Sequence, residues 1–491
     1  MAQNSHSGSN AVRKLSLPTM AAFGFGQTAE GVKNQAFNVF LLFYYQQVIG
    51  IPGTWAGAAL AIAMLFDAVT DPVAGIVSDR FKSRWGRRHP FMIVSVFPLV
   101  LCFVALFSPP DGLSELANFL WLTFFAILVR GSLTFFYVPH LSLGAEIAQD
   151  YNQRSTLFAF STVFSITAMA LVSILGFRYF FPTTELYNPG TLNPDGYTPF
   201  AMFFAGLMFI AIIGCSWGTR KEIPHMDLER PSQPLSLESS LGDFKAVFGN
   251  KSFRLILFGM LMTTFAIAVE AVMSPFMGVH FWGLRTEQLG LISIGTLLGL
   301  WIGLPLAPKI TARLDKKYAL VFPAIFVAIN ANAALCMRLF DVSWFPDNDS
   351  PWVFWIYFMR YLLQGICLPV ILASFNSMFA DISDEVELET GVRREGIIYA
   401  SRSFANKVTS AMGAFLGGVA LDVIAFPKAA AVGSVSADTI WWLGFLEGPA
   451  TTLISLTGVL FYLRYQIDRD RHAEIRAAIA QRDKDRLSHQ S

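Results

Sequence analysis

Asp67 and Asp71 stand in the segment Phe66-Asp67-Ala68-Val69-Thr70-Asp71-Pro72, inside an apolar run of membrane length. A carboxylate in hydrocarbon costs about 2.5–3.5 kcal/mol on insertion scales. Four residues apart on a helix, two carboxylates share a face and repel. A small hard cation held between them removes both penalties. Pro72 has no N–H, so the Ala68 carbonyl loses its helical partner and offers another oxygen beside the carboxylates. Thr134 can add a hydroxyl oxygen, and Lys407 is the natural counter-charge when the cation is absent. Sodium is favoured over a proton, because two carboxylates with hydroxyl and carbonyl oxygens form a coordination set. A proton needs only one carboxylate.

Other polar residues in the apolar runs form stripes at helical spacing. Gln27, Glu30, Asn34 and Asn38 share one face, as do Arg130, Thr134 and Tyr137, and Thr263, Glu270 and Ser274. Such residues face a protein interior or a wet cavity rather than lipid. Glu30, Asn34, Arg130, Tyr137, Glu270, Arg360 and Tyr399 are the candidate solute contacts. Two charged clusters at run ends are candidate gates: Asp79 with Arg84, Arg87 and Arg88, and Asp381 and Asp384 with Arg393, the latter in a turn between two runs. No nucleophile–base set, metal motif or phosphate loop is visible, which argues against an enzyme. His140, beside Pro139, suits packing or a solute contact better than base catalysis.

The elements that must position these groups are spanning helices. Of the 491 residues, 54% are hydrophobic and only 14% charged, with mean hydropathy +0.49. A soluble domain carries about 25% charge. Apolar runs of spanning length fall at roughly 20–48, 54–78, 91–108, 117–145, 155–180, 199–218, 254–279, 287–308, 318–340, 352–380, 396–422 and 440–464. The expected chain is an all-α integral membrane protein of twelve helices in two six-helix lobes, 18–218 and 254–465. A hydrophilic linker at 219–253 separates the lobes, a polar tail at 1–17 precedes them, and a charged, helix-prone tail at 466–491 follows. That last tail reads as a solvated helix.

Lysine and arginine gather at one set of loops, including Arg80–Arg88, Lys309–Lys317, the linker and the last tail. The intervening loops carry almost none, which places both termini in the cytoplasm. The first 17 residues lack the apolar core of a cleavable signal. Cys102, Cys215, Cys336 and Cys367 lie at unrelated spacings in apolar stretches, as small hydrophobes rather than a disulfide or metal framework.

At four blocks the chain resembles the glycoside–pentoside–hexuronide:cation symporter family of the major facilitator superfamily, typified by the melibiose permease. The blocks are Asp67-Ala-Val-Thr-Asp71-Pro72, Ser83-Arg84-Trp85-Gly86, Met378-Phe-Ala-Asp381-Ile-Ser-Asp384, and Tyr399 with Lys407. The resemblance runs from about residue 20 to about 465. It implies a major facilitator fold in a cell membrane, as in a bacterial inner membrane, and import of a saccharide with sodium or a proton, without a cofactor or nucleic acid. It implies Asp67 and Asp71 as cation carboxylates, Thr134 as a further ligand and Lys407 as a coupling residue. The family's sugar-contact positions fall here on Gly31, Tyr137, Leu141, Thr162 and Leu372, so a galactoside is not implied. Animal sodium-dependent lysolipid transporters share the Asp-x3-Asp-Pro block, which keeps an amphiphilic cargo as the alternative. A non-transporting sensor is a further one.

Overall fold

In a computed structural model the described residues are 15–81, 83–148, 150–225 and 244–490. Among them are helices and turns and no strand. In lipid this is the expected outcome, since a helix satisfies its backbone internally. α1 (Leu17–Gln35) starts at Ser16, whose hydroxyl accepts the Thr19 N–H, and continues through two π-helical turns, Ala36–Leu41 and Tyr44–Ile49. α2 (Gly53–Arg80), α3 (His89–Leu106), α4 (Glu115–Ile147), α5 (Tyr151–Leu175) and α6 (Tyr197–Thr219) complete the first half. The second half is α7 (Lys251–Phe276), α8 (Thr286–Arg313), α9 (Lys316–Leu339), α10 (Pro351–Thr390), α11 (Glu395–Val423) and α12. α12 joins Ala437–Phe445 to Thr451–Leu463 through a π turn at Leu446–Ala450. α13 (Arg469–Gln490) is the tail helix.

Ten of these helices are long and apolar enough to cross a membrane. The two other long helices, α1 and α11, carry much of the polar chemistry: Gln27, Glu30, Lys33 and Asn34 on one, Arg402, Asn406 and Lys407 on the other. Their lower hydropathy follows from lining a cavity.

The packing repeats. In the first half α1 packs on α5 and α6, α4 on α2 and α3, and α3 on α6. In the second half α7 packs on α11 and α12, α10 on α8 and α9, and α9 on α12. Shifting each number by six converts one set into the other. The seams between halves, α2 on α11 and α5 on α8, interchange under the same operation. The result is two pseudo-equivalent six-helix lobes.

The two ends differ. One apolar core runs through the first lobe, Leu15 and Ile147 included, and crosses into the second at the end carrying the poorly charged loops, from Phe40 and Tyr45 to Phe276, Trp282 and Leu421. At the basic-loop end the second lobe has its own core, with Phe253, Ile382, Tyr462 and Ile475. The shared core needs close backbone approach at the α2–α11 seam. A Cβ on Gly418 would lie 2.2 Å from the Gly53 carbonyl oxygen.

Two sequence expectations are corrected here. Asp381 and Asp384 do not sit in a turn: α10 runs on to Thr390 and stops at Gly391, whose φ of 76° suits glycine. The acidic composition ended the apolar run but not the helix, because the carboxylates are matched by neighbouring cations. The tail is not merely solvated. Ile475 is fully buried, and His472 Nε2 lies 3.1 Å from Asp384. The cysteines are all free.

Candidate functional site

α1, α2 and α4 of the first lobe and α11 of the second enclose a cavity of about 440 Å³. Three acids, Glu30, Asp67 and Asp71, and three bases, Lys33, Arg130 and Lys407, line it. Each acid has one base. Arg130 Nη2 lies 2.6 Å from Asp67 Oδ2, with both side chains nine-tenths buried. Lys407 pairs with Asp71 across the lobes and also reaches the Asp67 carbonyl at 3.4 Å. Lys33 bonds Glu30 at 3.2 Å and Asn34 Oδ1 at 2.7 Å, while Asn34 donates to Glu30 at 3.0 Å. The Thr134 hydroxyl donates to Asp71 Oδ1 at 2.9 Å. Asp67 Oδ1 is buried and has no hydrogen-bond partner among the described residues.

The spacing explains this arrangement. Asp67 and Asp71 are one turn apart on α2, and Arg130, Thr134 and Tyr137 follow the same stripe on α4, which packs directly on α2. Asp67, Asp71, Thr134, Lys407, Glu30, Asn34, Arg130 and Tyr137 thus come together in one cavity. Arg130 lines the cavity while its guanidinium is held by the carboxylate of Asp67. The carbonyl that the lysine reaches is that of Asp67, not that of Ala68. Gln27 leaves the α1 stripe and bonds His140 at 3.1 Å inside the lobe, where the His140 ring stacks on Phe23 at 4.0 Å.

Glu270, Arg360 and Tyr399 do not join that cavity. Arg360 lies 2.8 Å from Glu270 and 3.5 Å from Glu447, a residue that sequence reasoning missed. Glu447 is fully buried. The signal was available, since a carboxylate in the last apolar run needs the same justification as Asp67. Tyr399 lies eight residues before Lys407, near Phe379 at 6.5 Å and towards the basic-loop end.

A second cavity, of about 360 Å³, lies between the lobes against α1, α5, α7, α8 and α10. None of its lining residues carries a charge. Asn38 on α1 borders both cavities.

Among the described residues, those candidate gate residues that form ion pairs form them within a lobe. Arg88 lies 2.5 Å from Asp79 and 2.9 Å from Glu146, and Arg87 is 2.9 Å from Glu146. Arg84 is exposed beside the Trp85 ring. Asp381 takes Lys316 at 2.7 Å. Asp384 takes His472, with Arg393 at 3.6 Å. Every one of these ion pairs joins two elements of the same half. Further ties between lobes lie at the opposite end. Asp422, in the last turn of α11, accepts the Gly53 and Thr54 N–H groups at 2.8 and 2.7 Å. Glu287, in the first turn of α8, accepts the Thr183 N–H at 2.7 Å and its hydroxyl at 3.1 Å. An acid at a helix C-terminus opposes the helix dipole, and Asp422 is offset by capping the N-terminus of α2 instead. That misfit was the sequence signal for it.

A family model described as MFS/sugar transport protein matches residues 22–469. An uncharacterized symporter of Synechocystis is 25% identical, over 96% of this chain and 97% of its own. The glucuronide carrier protein homolog of Escherichia coli is 25% identical, over 82% of each. In fold the chain is similar to the D-xylose–proton symporter, with a TM-score of 0.60 at 13% identity, covering 92% of this chain and 97% of that one.

Proposed function

The chain belongs to the MFS/sugar transport family, and from that premise we propose cation-coupled import of a saccharide by alternating access between its lobes. The observation that carries the coupling is the one-to-one pairing of acids and bases in the charged cavity. Asp67 and Asp71 bring two carboxylates to a hydroxyl, and Asp67 Oδ1 is free of hydrogen bonds. These are hard oxygen donors that suit sodium. Sodium entering there competes with Arg130 and Lys407 for the same carboxylates. The cation therefore releases a guanidinium and an ammonium into the cavity as it binds. Those released donors grip the solute. Cation and solute thereby raise each other's affinity by one factor, as linkage requires.

Charge counting narrows the solute. Three acids and three bases cancel, so one bound sodium leaves the cavity with one excess positive charge. A sugar carrying one acid group restores neutrality. The name of the glucuronide carrier homologue fits that class. Sidedness follows from the basic loops, which we assign to the cytoplasm. The described conformation then faces inward, with its outer end closed by the shared core.

The deciding experiment is uptake into proteoliposomes at fixed pH, with sodium replaced by choline. Glucuronide uptake that needs sodium and is lost in Asp67→Asn and Asp71→Asn supports the reading. Uptake unchanged in choline removes the sodium claim. Intact sodium-driven uptake in both variants removes the site.

A further inference from the structure

The uncharged cavity differs in kind from the charged one beside it. Its wall includes Ile166, Met169, Ala170, Ala271, Ile292 and Leu297. Its polar groups are largely bonded to one another. Gln35 donates to Ser173 Oγ at 2.6 Å, the Tyr361 and Ser274 hydroxyls lie 3.2 Å apart, and the Tyr357 and Tyr361 hydroxyls 3.4 Å apart. Arg360 stands behind the two tyrosines, 5.5 and 5.3 Å from their ring centroids, and is held by Glu270 and Glu447. The buried charge cluster thus fixes the tyrosine rings without itself lining the cavity. With most of the wall apolar and these five polar side chains engaged with one another, only Asn38, Ser293 and Thr296 among the described residues are left to bond an occupant. Such a wall rewards apolar area.

We propose that this cavity is an aglycone subsite, taking the aryl or short alkyl group of a conjugated sugar whose polar head occupies the charged cavity. The inference rests on the saccharide reading above and extends it to the second half of the molecule. Asn38 borders both cavities, so they adjoin at that side chain and a solute that passes it touches both. Each cavity, at about 360 and 440 Å³, falls in the size range of a small-molecule site. The division of contacts also suits transport. The charged cavity meets the second lobe only through α11, whereas the uncharged one meets it through α7, α8 and α10. A solute filling both holds the two lobes together more firmly than a bare sugar acid does.

The test uses purified full-length protein in sodium, with affinities from ligand-dependent thermal shifts. The probes are methyl and phenyl β-glucuronide, the corresponding β-glucosides, and a lysophosphatidylcholine. The phenyl glucuronide is expected to bind at least about tenfold tighter than the methyl, as apolar pockets discriminate by such factors. Ala170→Leu and Ala271→Leu fill the cavity from α5 and α7. Each is expected to cut that preference to less than about twofold, with the methyl glucuronide and the ligand-free melting temperature unchanged. The unchanged methyl affinity shows that the variants fold. Equal binding of phenyl and methyl forms to the unaltered protein overturns the subsite. So does an equal loss of both ligands in variants of normal melting temperature. Binding of the lysolipid alone, displaced by neither sugar, overturns it in favour of an acyl chain. If no glucuronide or glucoside stabilises the protein, the saccharide reading falls and the subsite falls with it.

Discussion

The two ends of the molecule handle charge and backbone in opposite ways. At the end with the basic loops, Asp79, Glu146, Asp381 and Asp384 are each neutralised inside their own lobe. At the other end Asp422 and Glu287 take hydrogen bonds from the opposite lobe. These two acids sit on the α2–α11 and α5–α8 seams, which exchange under the pseudo-twofold operation. Conformational control lies where charges meet across a seam. Charges satisfied within a lobe stabilise that lobe in every state. Charges satisfied across the seam stabilise only the state in which the seam is shut.

That contrast yields ordered predictions, read by melting temperature and by labelling of Asn38→Cys with an impermeant thiol reagent from either side of a vesicle. The native cysteines are first replaced. The largest effect belongs to Arg88→Ala, which removes the partner of Asp79 and one of the two arginines on the part-buried Glu146, leaving it Arg87 alone. It should cost about 3 kcal/mol, the low end for breaking a buried pair because Asp79 keeps some water. Labelling sidedness should not change; a changed sidedness would break the comparison.

Gly418→Leu should come next. Its side chain collides with the Gly53 carbonyl, and overpacking of this kind costs about 1–3 kcal/mol. Here the cost falls on the closed seam, so reagent should reach Asn38→Cys from the outer side far more than in the parent. Asp422→Ala should act in the same direction by about 1–2 kcal/mol, the worth of a helix cap. It should leave the melting temperature nearly unaltered if the seam simply opens. The smallest effect is expected for Lys428→Gln. Its pair with Glu115 joins the lobes but is exposed, and such pairs contribute about 0–1 kcal/mol. A large shift in labelling from that variant would mean that loop charge, rather than capping and close packing, holds the outer seam.

Much of the site was legible in the sequence because helical spacing carries it. Asp67 with Asp71, and Arg130 with Thr134 and Tyr137, announce shared faces, and intramembrane charge announces a protein-lined environment. The matching of partners was not legible. Whether Arg130 meets a solute or Asp67 depends on α4 packing against α2, which no local pattern encodes. Glu270 and Arg360 looked like cavity residues for the same reason; they pair with each other, and the second carboxylate at Arg360, Glu447, lies in a π turn beside Gly448 and Pro449 that interrupts the last span. The partners of the candidate gate residues were hidden on a different ground. A carboxylate beside arginines at a helix end looks the same in sequence whether it is satisfied within its lobe or across the seam. The repeat of packing by six helices was visible only as two blocks of six apolar runs.

The central claim is that sodium competes with Arg130 and Lys407 for Asp67 and Asp71. Its most direct test is the melting temperature of the purified protein titrated with sodium against choline at constant pH and ionic strength. The expected result is a saturable rise in sodium that disappears in Asp67→Asn and in Asp71→Asn. A wild-type melting curve indifferent to sodium, or a rise that survives in both variants, would contradict it.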